Sequence, residues 1–102
     1  MDEIKELREE FEGEGEVRGF TFRRVLSNGY AYVYMVSGGS SRDYYEVFER
    51  QVNPLYSVVR YPKSKAFGVW AKTTYDWDKA LAYYGEFTMR VMSRSDVLDE
   101  GF

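Results

Sequence analysis

The clearest pattern of apolar and polar positions lies in residues 66–87, where a strand-like run passes directly into helical spacing. Residues 66–75 are rich in apolar and β-branched side chains, which favours a buried strand. Asp76 follows, and its carboxylate can accept hydrogen bonds from the free N–H groups of a first helical turn. The next apolar residues recur at i, i+3, i+4 and i+7, the spacing of one helix face, and are Trp77, Ala80, Leu81 and Tyr84. We therefore expect a strand and a helix at the centre of the core, with both Trp side chains largely buried.

Residues 2–12 are predicted to form a second helix. An apolar stripe at i, i+3 and i+7 is formed by Ile4, Leu7 and Phe11. The first turn is acidic, which suits the positive end of the helix dipole. Glu6 and Glu10 are a like-charged pair four residues apart, so the isolated helix would be marginal.

A β-hairpin is predicted around Asn28 and Gly29, because residues 17–27 and 30–37 on either side are rich in β-favouring side chains. Asn-Gly between two such runs indicates a two-residue type I′ turn, in which both residues need positive φ. The run 30–37 is apolar on both faces, which is typical of a central strand.

Three further strands are predicted at residues 43–52, 55–61 and 66–75, with short polar turns between them. Short links imply antiparallel pairing. The predicted fold class is therefore α+β, with an antiparallel sheet of four to five strands packed against an N-terminal and a C-terminal helix, in the order α-β-β-β-β-β-α.

The C-terminal helix is predicted to end either at Gly85, a possible C-cap, or near Met92. Residues 93–102 show little pattern and are predicted to form a loosely ordered tail. Residues 1–92 would then form a single α+β domain.

The composition excludes several classes of function. The 102 residues include no Cys and no His, which rules out disulfide frameworks, zinc sites of the Cys/His type and His-dependent nucleophiles. Glu46 and Glu49 lie three apart on a predicted strand, so they point to opposite faces and do not form an acid–base pair. We therefore expect no enzymatic activity, no metal and no cofactor.

The acidic start of the chain is unlike a signal peptide, and no apolar run is long enough for a membrane span, so we expect a soluble, cytoplasmic protein.

The formal charge of −3 is unevenly distributed along the chain. Residues 1–16 hold eight acidic and two basic side chains, whereas residues 17–73 hold nine basic and three acidic ones. Residues 74–102 are acidic again, with six acids and three bases. The basic middle favours an anionic partner, and the acidic balance of the whole chain opposes constitutive binding of nucleic acid.

Basic residues alternate with aromatic ones in the predicted sheet, a pattern that suits single-stranded nucleic acid because rings stack on bases while Arg neutralises phosphate. An ordinary sheet with one buried aromatic face and one Arg-rich solvent face would have the same pattern. The loop 60–65 adds three cations, which suit a phosphate group and equally suit a solvated turn. The candidate residues for binding nucleic acid or another partner are Arg18, Arg23, Arg24, Tyr32, Tyr34, Arg50, Arg60, Lys63 and Lys65.

Four short motifs carry a resemblance to known sequences: GFTFRRV at residues 19–25, YEVFER at 45–50, YPKSKAFGVWA at 61–71 and DKAL at 78–81. They are similar to a group of small uncharacterised proteins of phages and mobile elements of gut Bacteroidales. The resemblance implies an origin in a phage or mobile element and no particular activity. In architecture alone, consecutive antiparallel strands followed by a C-terminal helix resemble the repeat of PUR-type single-strand-binding proteins.

From these observations we expect a non-enzymatic accessory protein that binds another protein as an inhibitor or adaptor. The alternative is binding of single-stranded nucleic acid through the basic, aromatic face of the sheet. The position of the acidic first helix separates the two hypotheses, because a helix lying over the basic face would keep nucleic acid away from it.

Overall fold

The structure, a computed structural model, describes residues 3–39 and 42–101 and shows one α-helix and seven β-strands within them. The strands are β1 (Glu10–Glu12), β2 (Phe20–Ser27), β3 (Ala31–Gly38), β4 (Tyr44–Glu49), β5 (Val52–Asn53), β6 (Val58–Val59) and β7 (Ala71–Thr74), and the helix is α1 (Trp77–Gly101). The residues outside this description are Met1, Asp2, Ser40, Ser41 and Phe102. They include the first residue of the predicted N-terminal helix, part of the loop before β4 and the last residue of the predicted tail.

Five strands form one antiparallel sheet in the order β1-β2-β3-β4-β7, and β5 pairs with β6 in a separate two-stranded hairpin. The predicted α+β class and antiparallel sheet are therefore confirmed. Short links place β2, β3 and β4 side by side, as expected for strands joined by hairpins. β7 joins the edge of β4 only after residues 50–70, which carry the small hairpin.

The predicted helix over residues 2–12 is wrong, and with it the α-β-β-β-β-β-α layout. Residues 3–9 are extended instead and lead into β1, which pairs with β2. The described part of the chain therefore carries its helix at the C-terminal end alone.

The extended conformation of this segment is explained by partners that are distant in sequence. Lys5 donates its backbone N–H to the carbonyl of Ser57 at 2.8 Å, and Val59 donates to the carbonyl of Lys5 at 2.9 Å. The same backbone places Leu7 and Phe11 against buried aromatic rings. These contacts outweigh the weak helical preference of a segment with a narrow apolar stripe and a like-charged pair.

Two later strands are shorter than predicted. The run 55–61 is reduced to β6, because residues 54–57 form a tight turn in which Ser57 has a φ of 53°. The run 66–75 becomes a strand only at Ala71. Ala66 N–H donates to the carbonyl of Lys63 at 2.8 Å and closes a single 3₁₀ turn before that point.

β3 is the central strand, as predicted from its two apolar faces, and it separates two cores. On one face Tyr32 and Tyr34 stack against Phe48, with ring centroids 5.4 and 5.7 Å apart. The aromatic core on this face consists of Phe22, Tyr32, Tyr34, Val36, Phe48, Val59, Ala66 and Ala71. The helix core, between the opposite face and α1, consists of Ala31, Val33, Val47, Ala80 and Phe87.

α1 begins at Trp77, as predicted, and Asp76 caps it: the Asp76 carboxylate accepts from the N–H of Asp78 at 2.8 Å. The helix passes both predicted ends and continues to Gly101, so it includes most of residues 93–102. Within the described residues, this helix lacks the long apolar stretch that crossing a membrane would require.

The face that α1 turns to the sheet matches the predicted one in part: Ala80 and Tyr84 pack there as predicted, whereas Leu81 is 39% exposed. The side chains that pack in or on the helix core are Ala80, Tyr83, Tyr84 and Phe87. Trp77 is 39% exposed, so the expectation that it is largely buried is wrong, and Trp70 is half-buried at the margin of the aromatic core. The buried stripe shifts toward Phe87 because the helix continues through Gly85.

The hairpin between β2 and β3 is confirmed, but its turn is not the predicted type I′ turn. Of the turn residues, Gly29 alone has a positive φ, at 89°. The Asn28 side-chain oxygen accepts from the N–H groups of Tyr30 and Ala31, at 2.9 and 3.1 Å. Its amide nitrogen donates to Thr88 at 2.9 Å, which ties the turn to α1.

We expect Gly29→Val to lower the free energy of unfolding by about 1–2 kcal/mol, because an L side chain resists positive φ. A Cβ at this position would meet no atom within 4 Å, so the loss would come from the backbone alone. Gly85→Ala is a control of opposite sign. A Cβ added at Gly85 would also meet no atom within 4 Å, and alanine stabilises a helix interior relative to glycine by up to about 1 kcal/mol, so this variant should be more stable than the parent. Urea denaturation measures both variants, and a Gly29→Val protein as stable as the parent would contradict the assigned turn.

Candidate functional site

The chain before β1 forms an N-terminal strap, residues 3–9, that lies across the aromatic core. Tyr34 donates its hydroxyl proton to the carbonyl of Arg8 at 2.6 Å, and Tyr32 donates to the carboxylate of Glu6. Burial raises the pKa of both phenols to about 12, so both remain donors at neutral pH. The two tyrosines predicted to stack on bases therefore lie in the core, and neither presents a free ring face.

Two of the predicted cations are engaged by the N-terminal strap. Arg50 donates two N–H groups to the carboxylate of Glu6, at 3.1 and 2.5 Å, and this hydrogen bonding lowers the pKa of Glu6. Arg24 donates to the carbonyl of Leu7 at 3.3 Å. The acidic end of the chain thus covers the basic, aromatic face as an extended segment.

The other predicted cations do not form one surface. Arg18 is exposed in the loop before β2. Arg23 is exposed as well, and because it follows the buried Phe22 on β2 its side chain leaves the sheet on the side of α1. The remaining three cations, Arg60, Lys63 and Lys65, do come together.

These three residues surround a pocket of about 720 Å³, termed the cationic pocket. The ring of Trp70 also lines it, and the guanidinium of Arg60 lies over that ring at 5.6 Å from the centroid. Arg60 also donates to the side-chain oxygen of Gln51 at 2.6 Å, while Lys63 and Lys65 are exposed. The pocket is suited to an anionic group.

A larger pocket, of about 900 Å³, shares Tyr61, Lys63 and Ser64 with the cationic pocket as a common wall. It is termed the carboxylate pocket because Glu46 lines it. Its apolar lining is provided by Val17, Phe22, Tyr44, Pro62, Phe67 and Tyr75. Two pockets of unlike character therefore lie side by side.

Glu46 is 9% exposed and is held by β4 on the aromatic face. Tyr61 donates its hydroxyl proton to one oxygen of this carboxyl at 2.6 Å. Burial raises the pKa of Glu46 although that hydrogen bond opposes the shift, and burial also raises the pKa of Tyr61. Within the described residues no other donor reaches Glu46, and its second oxygen is not sealed from the pocket. The carboxyl is therefore free to accept a further donor.

Aromatic rings and further charges surround Glu46. Tyr44 and Tyr75 meet edge to face with centroids 6.2 Å apart, and the guanidinium of Arg42 lies 4.1 Å from the centroid of Tyr75. Glu14 and Glu16, both exposed, add negative charge to the lining. An apolar pocket with a buried carboxyl and exposed acidic groups in its lining can hold a cation carried on an apolar stem.

Sequence reasoning considered Glu46 only as one half of a carboxylate pair and missed its place in the pocket. The sequence signal for the pocket position of Glu46 was the alternation of side chains along β4, which puts Tyr44, Glu46 and Phe48 on one face. An acid between two aromatic residues on a buried face needs a partner there. Glu49, in contrast, faces α1, where it pairs with Arg90 and Arg94.

The two pockets define the candidate site by their unlike charge and their common wall. In the part of the chain that the structure describes, no three acidic side chains are grouped in a way that would hold a metal ion. No protein-family model, curated protein or solved structure matches the chain.

Proposed function

We propose that the chain is a non-enzymatic accessory protein of a phage or mobile element that binds another protein in the cytoplasm, as an inhibitor or adaptor. The observation that carries the proposal is the adjacency of the carboxylate pocket and the cationic pocket. A protein surface offers side chains of both signs and can fill both pockets. A nucleic-acid strand offers an anionic backbone and complements the cationic pocket alone.

The edge of the sheet supports a protein partner. Among the described strands, β7 ends the sheet on one side, and its residues Thr73 and Thr74 line the carboxylate pocket. An edge strand presents backbone N–H and C=O groups that an extended segment of another protein can pair with. A partner segment running along β7 would therefore pass the mouth of the pocket.

The N-terminal strap supports the same choice. Glu6 holds Arg50 and Tyr32, and the carbonyl of Leu7 holds Arg24. Nucleic acid would reach these groups only after the strap had left the aromatic core, at the cost of its hydrogen bonds and buried apolar surface.

Binding of single-stranded nucleic acid is the second candidate, and one observation favours it. Arg60, Lys63 and Lys65 surround the ring of Trp70, an arrangement in which a base could stack while the cations meet phosphate. Such binding would weaken steeply as salt rises, because counterions are released on binding.

The test is affinity capture from a host lysate with and without nuclease, followed by mass spectrometry. We expect a protein partner whose capture survives nuclease and is lost with the double variant Lys63→Glu, Lys65→Glu. The matched control is Arg23→Glu, Lys79→Glu, which reverses two exposed charges that line neither pocket and should leave capture unchanged. Capture that disappears with nuclease would favour nucleic acid, and equal capture by both double variants would contradict the proposed site.

A further inference from the structure

We infer that the carboxylate pocket accepts a lysine or arginine side chain of the partner protein, whose cationic group pairs with the carboxylate of Glu46. The inference rests on the proposed function and adds to it the chemistry of the residue that is recognised. It selects one class of occupant for the larger pocket, a cation at the end of an aliphatic stem.

The state of the Glu46 carboxyl is the first support. It is nine-tenths buried, Tyr61 donates to one of its oxygens, and among the described residues the other oxygen has no donor. A largely buried carboxylate is costly unless it is paired, and the second oxygen of Glu46 is open to the pocket. An entering ammonium or guanidinium group would give that oxygen a charged donor.

The walls of the pocket are the second support. Phe22, Tyr44 and Phe67 provide apolar surface of the kind that packs along the methylene stem of a long cationic side chain. Tyr75 already holds a guanidinium of this chain over its ring, that of Arg42 at 4.1 Å. Rings of this wall therefore suit a cation as well as an aliphatic stem.

The charges around the pocket are the third support. Glu14 and Glu16 are exposed residues of its lining and would attract a basic side chain. Lys63 lines both pockets, but the three glutamates outnumber it in the carboxylate pocket, whereas Arg60, Lys63 and Lys65 together would repel a basic side chain from the cationic pocket. An acidic side chain would be repelled by all three glutamates of the pocket, so the charge pattern distinguishes basic from acidic occupants.

The direct test uses two small probes, N-acetyl-lysine amide and N-acetyl-norleucine amide, which differ in the terminal ammonium group. Each is titrated into the full, ¹⁵N-labelled protein while backbone amide shifts are followed by NMR. We expect the lysine probe to shift the amides of Glu46, Tyr61 and Thr73 in a saturable way. The norleucine probe should bind at least about tenfold more weakly, since it cannot pair with the carboxylate.

Glu46→Gln is the matching variant, because glutamine keeps the size of the side chain and an acceptor for Tyr61 while it removes the charge. We expect it to fold, since it removes a buried charge, and to weaken the lysine probe at least about tenfold. Glu14→Gln makes the same change of charge at an exposed position and should weaken the probe at most about fivefold.

The inference is overturned if the norleucine probe binds equally well, if Glu46→Gln binds the lysine probe unchanged, or if no saturable shift occurs up to tens of millimolar. Its failure is distinguishable from failure of the proposed function. If the lysine probe does not bind but partner capture still depends on Lys63 and Lys65, the proposed function stands alone. If the probe binds at Glu46 while no protein is captured, the pocket is a cation site and the proposed function falls.

Discussion

Truncating Phe48 to alanine should lower the free energy of unfolding by about 3–5 kcal/mol, a large share of the stability of a small domain. Phe48 has no exposed surface, and its ring lies against four others. The distances between ring centroids are 5.4 Å to Tyr32, 5.7 Å to Tyr34, 4.8 Å to Tyr61 and 6.4 Å to Trp70. Alanine would leave a cavity that rings held on β3 and in the segment between β6 and β7 cannot close. Urea denaturation followed by circular dichroism measures the loss.

Trp77→Ala is the control for this prediction. Trp77 is the larger side chain, but it is 39% exposed and contacts the ring of Tyr45 at the margin of the helix core, with centroids 5.2 Å apart. We expect its truncation to cost about 1–2 kcal/mol, within the range of ordinary substitutions. If Trp77→Ala proves as costly as Phe48→Ala, the assignment of the main core to the strap side of the sheet is wrong.

Replacing Arg90 and Arg94 together by alanine should cost roughly 2–3 kcal/mol, because the change removes both cations from the buried carboxylate of Glu49. The cost is below that of a fully buried ion pair, since both arginine side chains are partly exposed and water can enter the space that they leave. Glu49 is 2% exposed; Arg90 donates to one of its oxygens at 3.1 Å and Arg94 to the other at 2.5 Å. After the change, the side-chain amide of Gln51, at 3.3 Å, would be the remaining donor within the described residues.

Adding Glu49→Gln to the double variant of Arg90 and Arg94 tests whether the unpaired carboxylate causes the loss of stability. A neutral amide costs much less to bury than an unpaired carboxylate, so the triple variant should recover a large part of the lost stability. Thermal unfolding of the parent, double and triple variants gives the comparison. Lys72→Ala is the control for an exposed ion pair: it removes the pair with Glu86 and should lower the free energy of unfolding by less than about 1 kcal/mol. A triple variant no more stable than the double one would show that the arginines act through packing.

Local chemistry made several elements predictable from the sequence. The two apolar faces of β3, the Asn-Gly hairpin and the Asp76 cap each depend on neighbours in the chain, and the structure has all three. The N-terminal strap was not predictable in this way. Leu7 and Phe11 are four residues apart, a spacing that puts them on one face of a helix and equally on one face of an extended segment. Backbone hydrogen bonds of Lys5 with Ser57 and Val59 favour the extended segment over the helix.

The candidate site was predictable only in part, for the same reason. Arg60, Lys63 and Lys65 are neighbours in sequence and were recognised as a cationic group, which the structure places around one pocket. Tyr32 and Tyr34 were assigned to a binding surface because alternation gives the face of a residue but not what covers that face. The carboxylate pocket joins segments from the start, middle and end of the sheet, and no local pattern brings those segments together.

Both faces of β3 are packed, which limits the substitutions that this strand can accept. Five of its residues are at most 2% exposed: Ala31, Tyr32, Val33, Tyr34 and Val36. Substitutions at these positions disturb one of the two cores, so they lower the amount of folded protein in a cell. A mutagenesis screen for lost binding would therefore return β3 variants that report on protein abundance. Evolutionary change in partner preference is left to positions such as Glu14 and Lys63, which are exposed and can vary while both cores stay intact.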